Sequence, residues 1–373
     1  MTAERDIAGF VLPFACGAAL ITASEHLLSS SFPHLLNAAL LLTVTSLCFL
    51  MHNNHKCLST CILWALIITT GAGCGILCAG LEAWFPTYAT GHPGQIAETA
   101  ADFAENIKLQ IASVTFEDSR TNAVITALIT GDRNGLEDEI SGIFRKSGAS
   151  HILALSGMHL GIIYGILKAA LYALGNTRAA KTFRSILTVI ICGFYTLSTG
   201  AGASIVRAFI FILLTETAGL TGRNADGKTI LFSALLIQLV LAPDDIWNVG
   251  FQLSYAAVGG IVFIYPHLQK LWTDDRLNEG WTSKFLRWIW NCATLSVSCQ
   301  ITTGPIAYAY FGTFPLYFLI TNLLAIPLVT LIIPAGLLTI AMNTCGICPE
   351  FLIHETESLV DALRYSLTVI SSL

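Results

Sequence analysis

The sequence contains few charged residues. Of its 373 residues, 12% are Asp, Glu, Lys or Arg and 54% are hydrophobic, and the mean hydropathy is +0.68. Soluble domains carry about 25% charged residues, so this composition excludes an ordinary soluble domain and predicts an integral membrane protein. The formal net charge of −5 is spread over many loops. It neither favours nor excludes a nucleic-acid partner, because a membrane channel needs charge only along its lumen.

Several common signatures are also missing. The sequence has no signal-peptide pattern with a cleavage site, no G-x-x-x-x-G-K-[ST] nucleotide-binding loop and no Pro- or Ser-rich linker.

The cysteines number eleven. Most lie in apolar runs, where Cys behaves as a small hydrophobe. Cys345 and Cys348 form a lone C-x-x-C, which is weak support for zinc, and we interpret it as a turn before Pro349. We expect no metal and no cofactor.

Long apolar runs dominate what is present. A membrane span needs about 20 mostly apolar residues, and the runs predict an all-α, polytopic helical bundle of about ten spans. Pro327 and Pro334 predict a kinked or discontinuous tenth span, and residues 351–370 read as an amphipathic or interfacial segment. The predicted spans are 7–24, 34–51, 58–80, 149–174, 185–200, 203–220, 229–242, 246–265, 288–307 and 315–342.

Basic residues orient this bundle. With the N-terminus in the cytoplasm, the cytoplasmic loops hold eleven Lys and Arg residues and the opposite loops five. Basic loops stay in the cytoplasm, so this orientation is favoured and the long segment 82–148 faces outward. We divide the chain into a three-span segment 1–81, outer-face amphipathic helices 82–148, a core 149–342 and a C-terminal segment 343–373.

The outer segment has helical periodicity. Its apolar residues recur at helical spacing, and Asn134, three residues before Glu137, resembles a capping arrangement, with Gly148 after the last turn. We expect two or three amphipathic helices that lie on the outer membrane face or plug an opening; a packed outer cap is the alternative. The two stripes are Phe103, Ile107, Ile111 and Val114, and Leu136, Ile140, Ile143 and Phe144.

The apolar stretch SHILALSGMHLGIIYGIL, residues 150–167, carries two histidines. On one continuous helix, His151, Ser156 and His159 share a face, and polar groups in such a helix avoid lipid. Four interpretations stay open: a nucleophile and base formed by Ser156 and a histidine, a metal site, structural histidines, or the lining of a pore.

Other predicted spans repeat this one-sided polarity. Arg207 lies one turn from Ser204, and an arginine within a membrane costs about 2.5 to more than 10 kcal/mol. Each polar group alone suits an interhelical hydrogen bond, but together they predict a buried hydrophilic path. Further members of these stripes are Asn248, Gln252, Tyr255 and Gly259, then Ser296, Gln300 and Thr303, and Asn322.

Three ordered blocks resemble the ComEC competence family: ALITGDRNGLEDEISGIFRKSGASHILALSGMHLGII, SIVRA and DIWNVGFQLSYAAVGG. The resemblance is strong over about residues 120–270 and looser to about 340. It implies an inner-membrane channel that passes single-stranded DNA into the cytoplasm during natural transformation. Matching positions are Asp132, Arg133, Gly135, His151, Ser156, Gly157, His159, Arg207, Gly250, Phe251, Gln252, Leu253 and Ser254.

The resemblance and the polar stripes together give the candidate residues. Channel-lining candidates are His151, Ser156, His159, Arg207, Asn248, Gln252, Ser254, Tyr255 and Gln300; structural or gating candidates are Asp132, Arg133, Gly135, Gly157, Gly250 and Gly259. Such a chain is a multi-pass protein of the bacterial inner membrane and not an enzyme. Alternatives are an intramembrane serine hydrolase that uses Ser156, and a small-molecule transporter on the same fold.

The chain also departs from the family pattern. Many members carry an OB-like domain and a metallo-β-lactamase-like domain, whereas this sequence has no H-x-H-x-D-H motif and an outer segment too short for an OB barrel. We expect a reduced form or a fragment. Expected partners are single-stranded DNA, an outer-face DNA receptor, a cytoplasmic helicase-like ATPase, strand-binding proteins, the lipid bilayer and further copies of the chain.

Overall fold

The computed structural model describes residues 3–24, 67–76, 95–222, 226–272, 281–312 and 317–372. Within these ranges every regular element is helical, which confirms the all-α prediction. The α-helices are α1 (Ala3–Ser24), α2 (Ile67–Ile76), α3 (Gln95–Ser113), α4 (Ser119–Thr130), α5 (Asp138–Lys146), α6 (Ser150–Leu153), α7 (Gly157–Leu171), α8 (Arg178–Ser198), α9 (Ala203–Leu220), α10 (Gly227–Leu241), α11 (Val249–Gly259), α12 (Tyr265–Gln269), α13 (Trp281–Phe311), α14 (Phe318–Thr344) and α15 (Glu350–Ser371). Short 3₁₀ turns follow α7 (Tyr172–Leu174) and α10 (Pro243–Trp247), and a π-helical turn follows α11 (Gly260–Ile264).

The chain divides into two compact units. The first comprises Met1–His92 and Arg223–Tyr255, and the second comprises Pro93–Gly222 and Ala256–Leu373.

In the first unit, glycines bring α1 and α2 close together. A Cβ atom at Gly71 would lie 2.2 Å from the carbonyl oxygen of Phe10, and one at Gly75 would lie 2.0 Å from that of Phe14. No real side chain fits at these distances, so the contact requires glycine. Small residues at such spacing are typical of helix packing in membranes, where close backbone approach replaces the hydrophobic driving force. The same unit buries Phe14 against Leu239 of α10 and Phe251 of α11.

The core of the second unit surrounds α4. Seven of the twelve residues of this helix are buried, and it packs against both α14 and α15. The helices expected between 82 and 148 are therefore present as α3, α4 and α5, and α4 forms part of the core. The stripe residues Ile111, Val114, Ile140 and Phe144 are buried in the same cluster.

The C-terminal helix holds the start of α4 in place. Glu357 of α15 is buried and accepts hydrogen bonds from the backbone N–H groups of Asp118, at 2.6 Å, and Glu117, at 3.3 Å. Arg364 of the same helix donates to the Asp118 carboxylate at 2.5 Å. The Glu357 carboxylate thus satisfies backbone donors at the start of α4, where a helix leaves N–H groups unpaired, and Arg364 holds the carboxylate of the N-cap residue Asp118. Residues 351–370, expected to be amphipathic or interfacial, lie in α15, whose apolar face packs on α14.

Among the described residues, five helical segments are long and apolar enough to cross a membrane: Gly157–Leu174, Arg178–Ser198, Ala203–Leu220, Val249–Gln269 and Phe318–Thr344. Shorter apolar helices cover Ile7–Ala19, Ile67–Ile76 and Gly227–Leu241. The predicted span 34–51 lies outside the described residues, as do the ends of 58–80. The predicted span 288–307 lies within α13, which does not belong to the set of five.

Three local expectations need correction. The tenth span is not discontinuous, because one helix, α14, runs through both Pro327 and Pro334; membrane helices tolerate proline where neighbouring groups satisfy the freed carbonyl oxygens. Asn134 is not a helix cap, because α5 begins at Asp138 and the backbone N–H of Asn134 instead donates to Asp132. The single span 149–174 is interrupted, since Ala154, Leu155 and Ser156 are not helical.

Candidate polar sites in the membrane helices

The break before α7 changes the geometry around its histidines. Ser156 is the N-cap of α7, and its backbone N–H donates to Nδ1 of His159 at 3.2 Å. His151 belongs to the separate short helix α6, where its Nδ1 lies 3.1 Å from the carbonyl oxygen of Gly148. The prediction that His151, Ser156 and His159 share the face of one continuous helix is wrong. A capping serine satisfies unpaired N–H groups of the first turn. Ser156 and His159 therefore cap the start of α7.

Ser156 and His159 nevertheless lie within hydrogen-bonding distance. The Oγ of Ser156 is 3.1 Å from Nδ1 of His159, and the imidazole is buried. A nucleophile and base need this contact, but they also need a third group that orients the base. In the described part of the chain, Nε2 of His159 has no hydrogen-bond partner. No group of three metal-ligating side chains occurs among those residues either.

Arg207 lies close to the same end of the helix group. It is 2% exposed, and its Nη2 donates to the carbonyl oxygen and the hydroxyl of Ser204 at 3.0 and 2.9 Å. Arg207 is thus paired with a residue one turn earlier, and it lies in the second turn of α9 and not at its middle. A Cβ at Gly157 would lie 3.2 Å from that of Ala208, so the starts of α7 and α9 are in contact. His159 and Arg207 therefore belong to one end of the α7–α9 group.

The opposite end holds a carboxylate that the sequence analysis missed. Glu216 of α9 is buried and accepts hydrogen bonds from the hydroxyl of Tyr164 at 2.6 Å and from Nζ of Lys168 at 2.8 Å, both in α7. The hydroxyl of Ser185 in α8 donates to its second oxygen. One carboxylate thus joins three helices. The available signal was a single acidic residue in the apolar run 203–220, with Tyr164 and Lys168 four residues apart on a neighbouring helix.

The α7–α9 group therefore carries two polar layers. Lys168 follows His159 by nine residues, as Glu216 follows Arg207, which corresponds to about 14 Å of helix at about 1.5 Å per residue. Leu160 and Ile212, which lie between the layers along their helices, are buried in one apolar cluster. The two layers are separated by packed hydrocarbon.

Candidates in the first unit surround the start of α11. The side-chain oxygen of Asn248 accepts from the N–H of Gly250 at 2.8 Å, and Nε2 of Gln252 donates to the carbonyl oxygen of Ile246 at 2.8 Å. The hydroxyl of Tyr255 donates to Gln238 at 3.2 Å. Asn248 precedes the helix, and the other side chains follow on α11 as predicted. These bonds fix the turn from the 3₁₀ segment into α11. Ser254 is half-buried on the same helix.

Glycines beside the candidate polar groups differ in their surroundings. A Cβ at Gly250 would lie 3.1 Å from Oδ1 of Asn248, whereas one at Gly259 meets nothing within 4 Å. Its neighbour Gly260 packs directly on α13, because a Cβ there would lie 2.3 Å from the carbonyl oxygen of Ser298. Gln300, half-buried, follows on that helix. The close helix contact thus lies at Gly260 and not at the candidate Gly259.

The loop after α4 carries the remaining candidates. Asp132 forms an ion pair with Lys108 of α3 at 2.6 Å, and the hydrogen bond from Lys108 holds the pKa of the Asp132 carboxyl below its usual value. Nε of Arg133 donates to the carbonyl oxygen of Leu153 at 3.0 Å. Among the described residues, a Cβ at Gly135 would meet only that of Ala123, at 3.8 Å. This loop therefore ties α3, α4 and α6 together.

The candidates form three groups within the two units. Ser156, His159 and Arg207 gather at one end of the α7–α9 group, and Asp132 and Arg133 lie in the adjoining loop. Asn248, Gln252 and Tyr255 gather in the first unit.

Known proteins are similar to this chain over more than half of its length. A model of the family described as "Competence protein" matches residues 128–373. ComE operon protein 3 of Bacillus subtilis is 26% identical over 241 residues, which cover 62% of this chain and 29% of that protein. Recombination protein 2 of Haemophilus influenzae is 24% identical over 256 residues, 67% of this chain and 32% of that protein.

A third relative is competence protein ComA of Neisseria gonorrhoeae, 24% identical over 209 residues, which cover 55% of this chain and 28% of that protein. The match thus spans less than a third of each of these three relatives. No solved structure matches the chain.

Proposed function

The chain belongs to the competence protein family, and from this membership we propose that it acts in DNA uptake for transformation, as a membrane channel that passes single-stranded DNA into the cytoplasm. The names of its relatives, which refer to competence and to recombination, support this function. Its apolar helices support a membrane location.

The observation that carries the proposal is the burial of Arg207 and His159 at adjoining ends of two membrane-span candidates. An arginine in a membrane helix is costly, and such residues often mark pathways for ions or substrates. A cation beside hydroxyl and imidazole groups suits the phosphate of a passing strand.

A conduit for single-stranded DNA needs cations and hydrogen-bonding groups for phosphate, and aromatic rings for bases. It must bind weakly enough for the strand to move. In the second unit Arg207, His159 and Gln300 have suitable chemistry, and in the first unit Gln252 and Tyr255 do. The packed hydrocarbon between the two polar layers of α7–α9 would close the path until the helices shift, and hydrophobic constrictions gate other channels in this way.

We place the protein in the bacterial inner membrane with a cytoplasmic N-terminus. A conduit does not move its substrate by itself, and the sequence has no phosphate-binding loop of the G-x-x-x-x-G-K-[ST] type. A cytoplasmic helicase-like ATPase would pull the strand, strand-binding proteins would trap it, and an outer-face receptor would deliver it. Association of several copies in the bilayer is compatible with the proposal.

The test is the fate of labelled DNA in cells that lack the chain. We expect DNase-resistant DNA to accumulate outside the inner membrane while labelled strand in the cytoplasm disappears. Complementation with Arg207→Lys or Gln252→Leu should restore less import than wild type at equal protein levels, whereas Arg178→Gln, a change at an exposed residue, should restore it fully. Undiminished cytoplasmic DNA in the deletion strain would overturn the proposal.

A serine hydrolase remains the second candidate function, because Ser156 Oγ and His159 Nδ1 are 3.1 Å apart. A fluorophosphonate probe distinguishes the two. A hydrolase would be labelled at Ser156, and Ser156→Ala would abolish its function. A channel would stay unlabelled and would lose only part of the stability of α7, since losing a serine cap costs about 1 kcal/mol.

A further inference from the structure

A cavity of about 360 Å³ opens beside α5 in the second unit. Its volume is at the lower end of the range of about 300–1,000 Å³ that is usual for small-ligand sites. Its polar lining comprises Arg133, Asp138, Ser141, Arg145 and Ser150, together with the backbone of Gly142. Two guanidinium groups and two hydroxyls thus meet one carboxylate, and the wall is net positive.

The two arginines differ from Lys108 and Arg120, which are paired with carboxylates. Lys108 is paired with Asp132 at 2.6 Å and Arg120 with Glu137 at 3.2 Å. Arg145 is exposed, and no carboxylate of the described ranges lies within 4.0 Å of it. Its charge is available to an anion.

Arg133 is fixed before any ligand arrives. Its Nε donates to the carbonyl oxygen of Leu153, the last residue of α6, at 3.0 Å, and this bond restrains the side chain. A restrained guanidinium loses less conformational entropy on binding, and its planar fork matches the oxygens of a phosphate.

Gly142 keeps the cavity open. It lies in the middle of the nine-residue helix α5, where glycine is less favourable than alanine. A Cβ there would meet no atom of the described residues within 4 Å, so their packing does not require glycine at this position. A side chain at residue 142 would instead occupy the cavity space that Gly142 lines.

We propose that this cavity binds a phosphodiester group of single-stranded DNA through Arg133 and Arg145. The inference rests on the proposed function and adds a contact site outside the membrane-span candidates. None of the described residues that line the cavity is aromatic, so the cavity contacts the DNA backbone and no base. Binding is independent of sequence and sensitive to salt.

The test uses the full-length protein in phosphatidylcholine nanodiscs and fluorescein-labelled oligo(dT) in an anisotropy titration. Arg145→Gln should weaken binding about tenfold, because it removes a charge-assisted hydrogen bond to the phosphate. It should also lower the slope of log affinity against log salt by about 0.7, the value for one contact to single-stranded phosphate. Arg133→Gln should act in the same direction.

Two matched variants separate a cavity from a general positive surface. Lys146→Gln removes the same charge from the next residue of α5, which does not line the cavity, and should change affinity less than about twofold because exposed charges are screened. Gly142→Leu keeps every charge and fills the cavity, and should weaken binding as much as Arg145→Gln. Melting temperatures in the same nanodiscs establish that each variant is folded.

Each remaining outcome is decisive. Equal losses for Lys146→Gln and Arg145→Gln, or unchanged binding by Gly142→Leu, would overturn the site and leave the proposed channel standing. Absence of oligo(dT) binding by wild type would overturn both. The titration is repeated in nanodiscs that also contain phosphatidylglycerol. If this lipid displaces the DNA, and Arg145→Gln removes that displacement, the cavity holds a lipid headgroup and the DNA assignment is wrong.

Discussion

At the scale of single residues, Glu216 shows how an apolar helix accommodates a charge. Its side chain is 5% exposed, whereas that of its partner Lys168 is 49% exposed. Glu216 therefore depends on the ion pair more than Lys168 does. Lysine reaches water along its flexible stem, but the carboxylate relies on Lys168 and on the hydroxyls of Tyr164 and Ser185.

This asymmetry predicts unequal mutational costs. Lys168→Met leaves a buried carboxylate without a cation and should lower the unfolding free energy by about 2–4 kcal/mol, near the cost of breaking a buried pair. Glu216→Gln should cost less, about 1 kcal/mol, because the amide still accepts hydrogen bonds. Thermal unfolding in detergent measures both. Lys181→Met, at an exposed lysine of α8, is the control, and equal costs at 168 and 216 would contradict the prediction.

Asp132 predicts a dependence of stability on pH. The hydrogen bond from Lys108 lowers the pKa of its carboxyl in the folded protein, so its contribution is fully present above the unfolded value of about 3.9. It is lost as the pH falls through the lower, folded-state pKa. Melting temperatures between pH 7 and pH 3 should therefore fall more for wild type than for Asp132→Asn, which is less stable at pH 7.

The control for this comparison is Asp102→Asn, an exposed residue of α3. It should follow the wild-type curve. Parallel curves for wild type and Asp132→Asn would show that the ion pair with Lys108 makes no contribution to stability.

At the scale of helices, periodic patterns predicted the elements well and their breaks poorly. The apolar stripe that ends in Ile111 and Val114 predicted α3. Gly148, with φ of 79°, follows the end of α5 as expected. The break between α6 and α7 was missed because its residues, Ala154 and Leu155, are apolar and give no turn signal. Ser156 before Gly157 was the usable cue, since serine favours the N-cap.

Tertiary contacts explain the rest of what sequence patterns missed. The bonds from Glu357 to the start of α4 join residues about 240 positions apart, and no local pattern encodes such a pairing. The same holds for Glu216, whose three partners lie on two other helices.

Helix α13 carries a prediction of its own. Aromatic residues are exposed near both of its ends, and Trp and Tyr favour the two membrane interfaces. From Trp288 to Tyr308 the helix rises about 30 Å at about 1.5 Å per residue, which matches the hydrocarbon thickness. We expect α13 to cross the bilayer despite its modest hydropathy. The exposed aromatic residues are Trp281, Phe285 and Trp288 at one end and Tyr308, Tyr310 and Phe311 at the other.

Quenching by brominated lipids tests this crossing. The fluorescence lost in Trp288→Phe reports that residue, and bromines near the headgroups should quench it more than bromines at the bilayer centre. A tryptophan introduced by Ile301→Trp, at an exposed position in the middle of α13, should show the opposite depth profile. Identical profiles at 288 and 301 would mean that α13 lies along the membrane surface.

At the scale of the whole molecule, orientation connects the sites to the direction of transport. The contact between Gly157 and Ala208 and that between Lys168 and Glu216 show that α7 and α9 run in the same direction. Arg133 bonds to Leu153, just before α7, so the phosphate cavity lies near the end of the group where α7 starts. An incoming strand would meet the cavity first if this end faces outward.

The excess of basic residues in alternate loops predicts that the end of the group where α7 starts faces outward. Alkaline phosphatase is active only outside the cytoplasm, so a fusion after Gly200, between α8 and α9, should be active and one after Asn176, between α7 and α8, inactive. Green fluorescent protein fused at the same points should give the reverse pattern. These positions flank a single helix of 21 residues, and a membrane-crossing α8 must therefore separate them. Inverted activities would place the cavity on the cytoplasmic side, where it could hold only a strand that had already crossed.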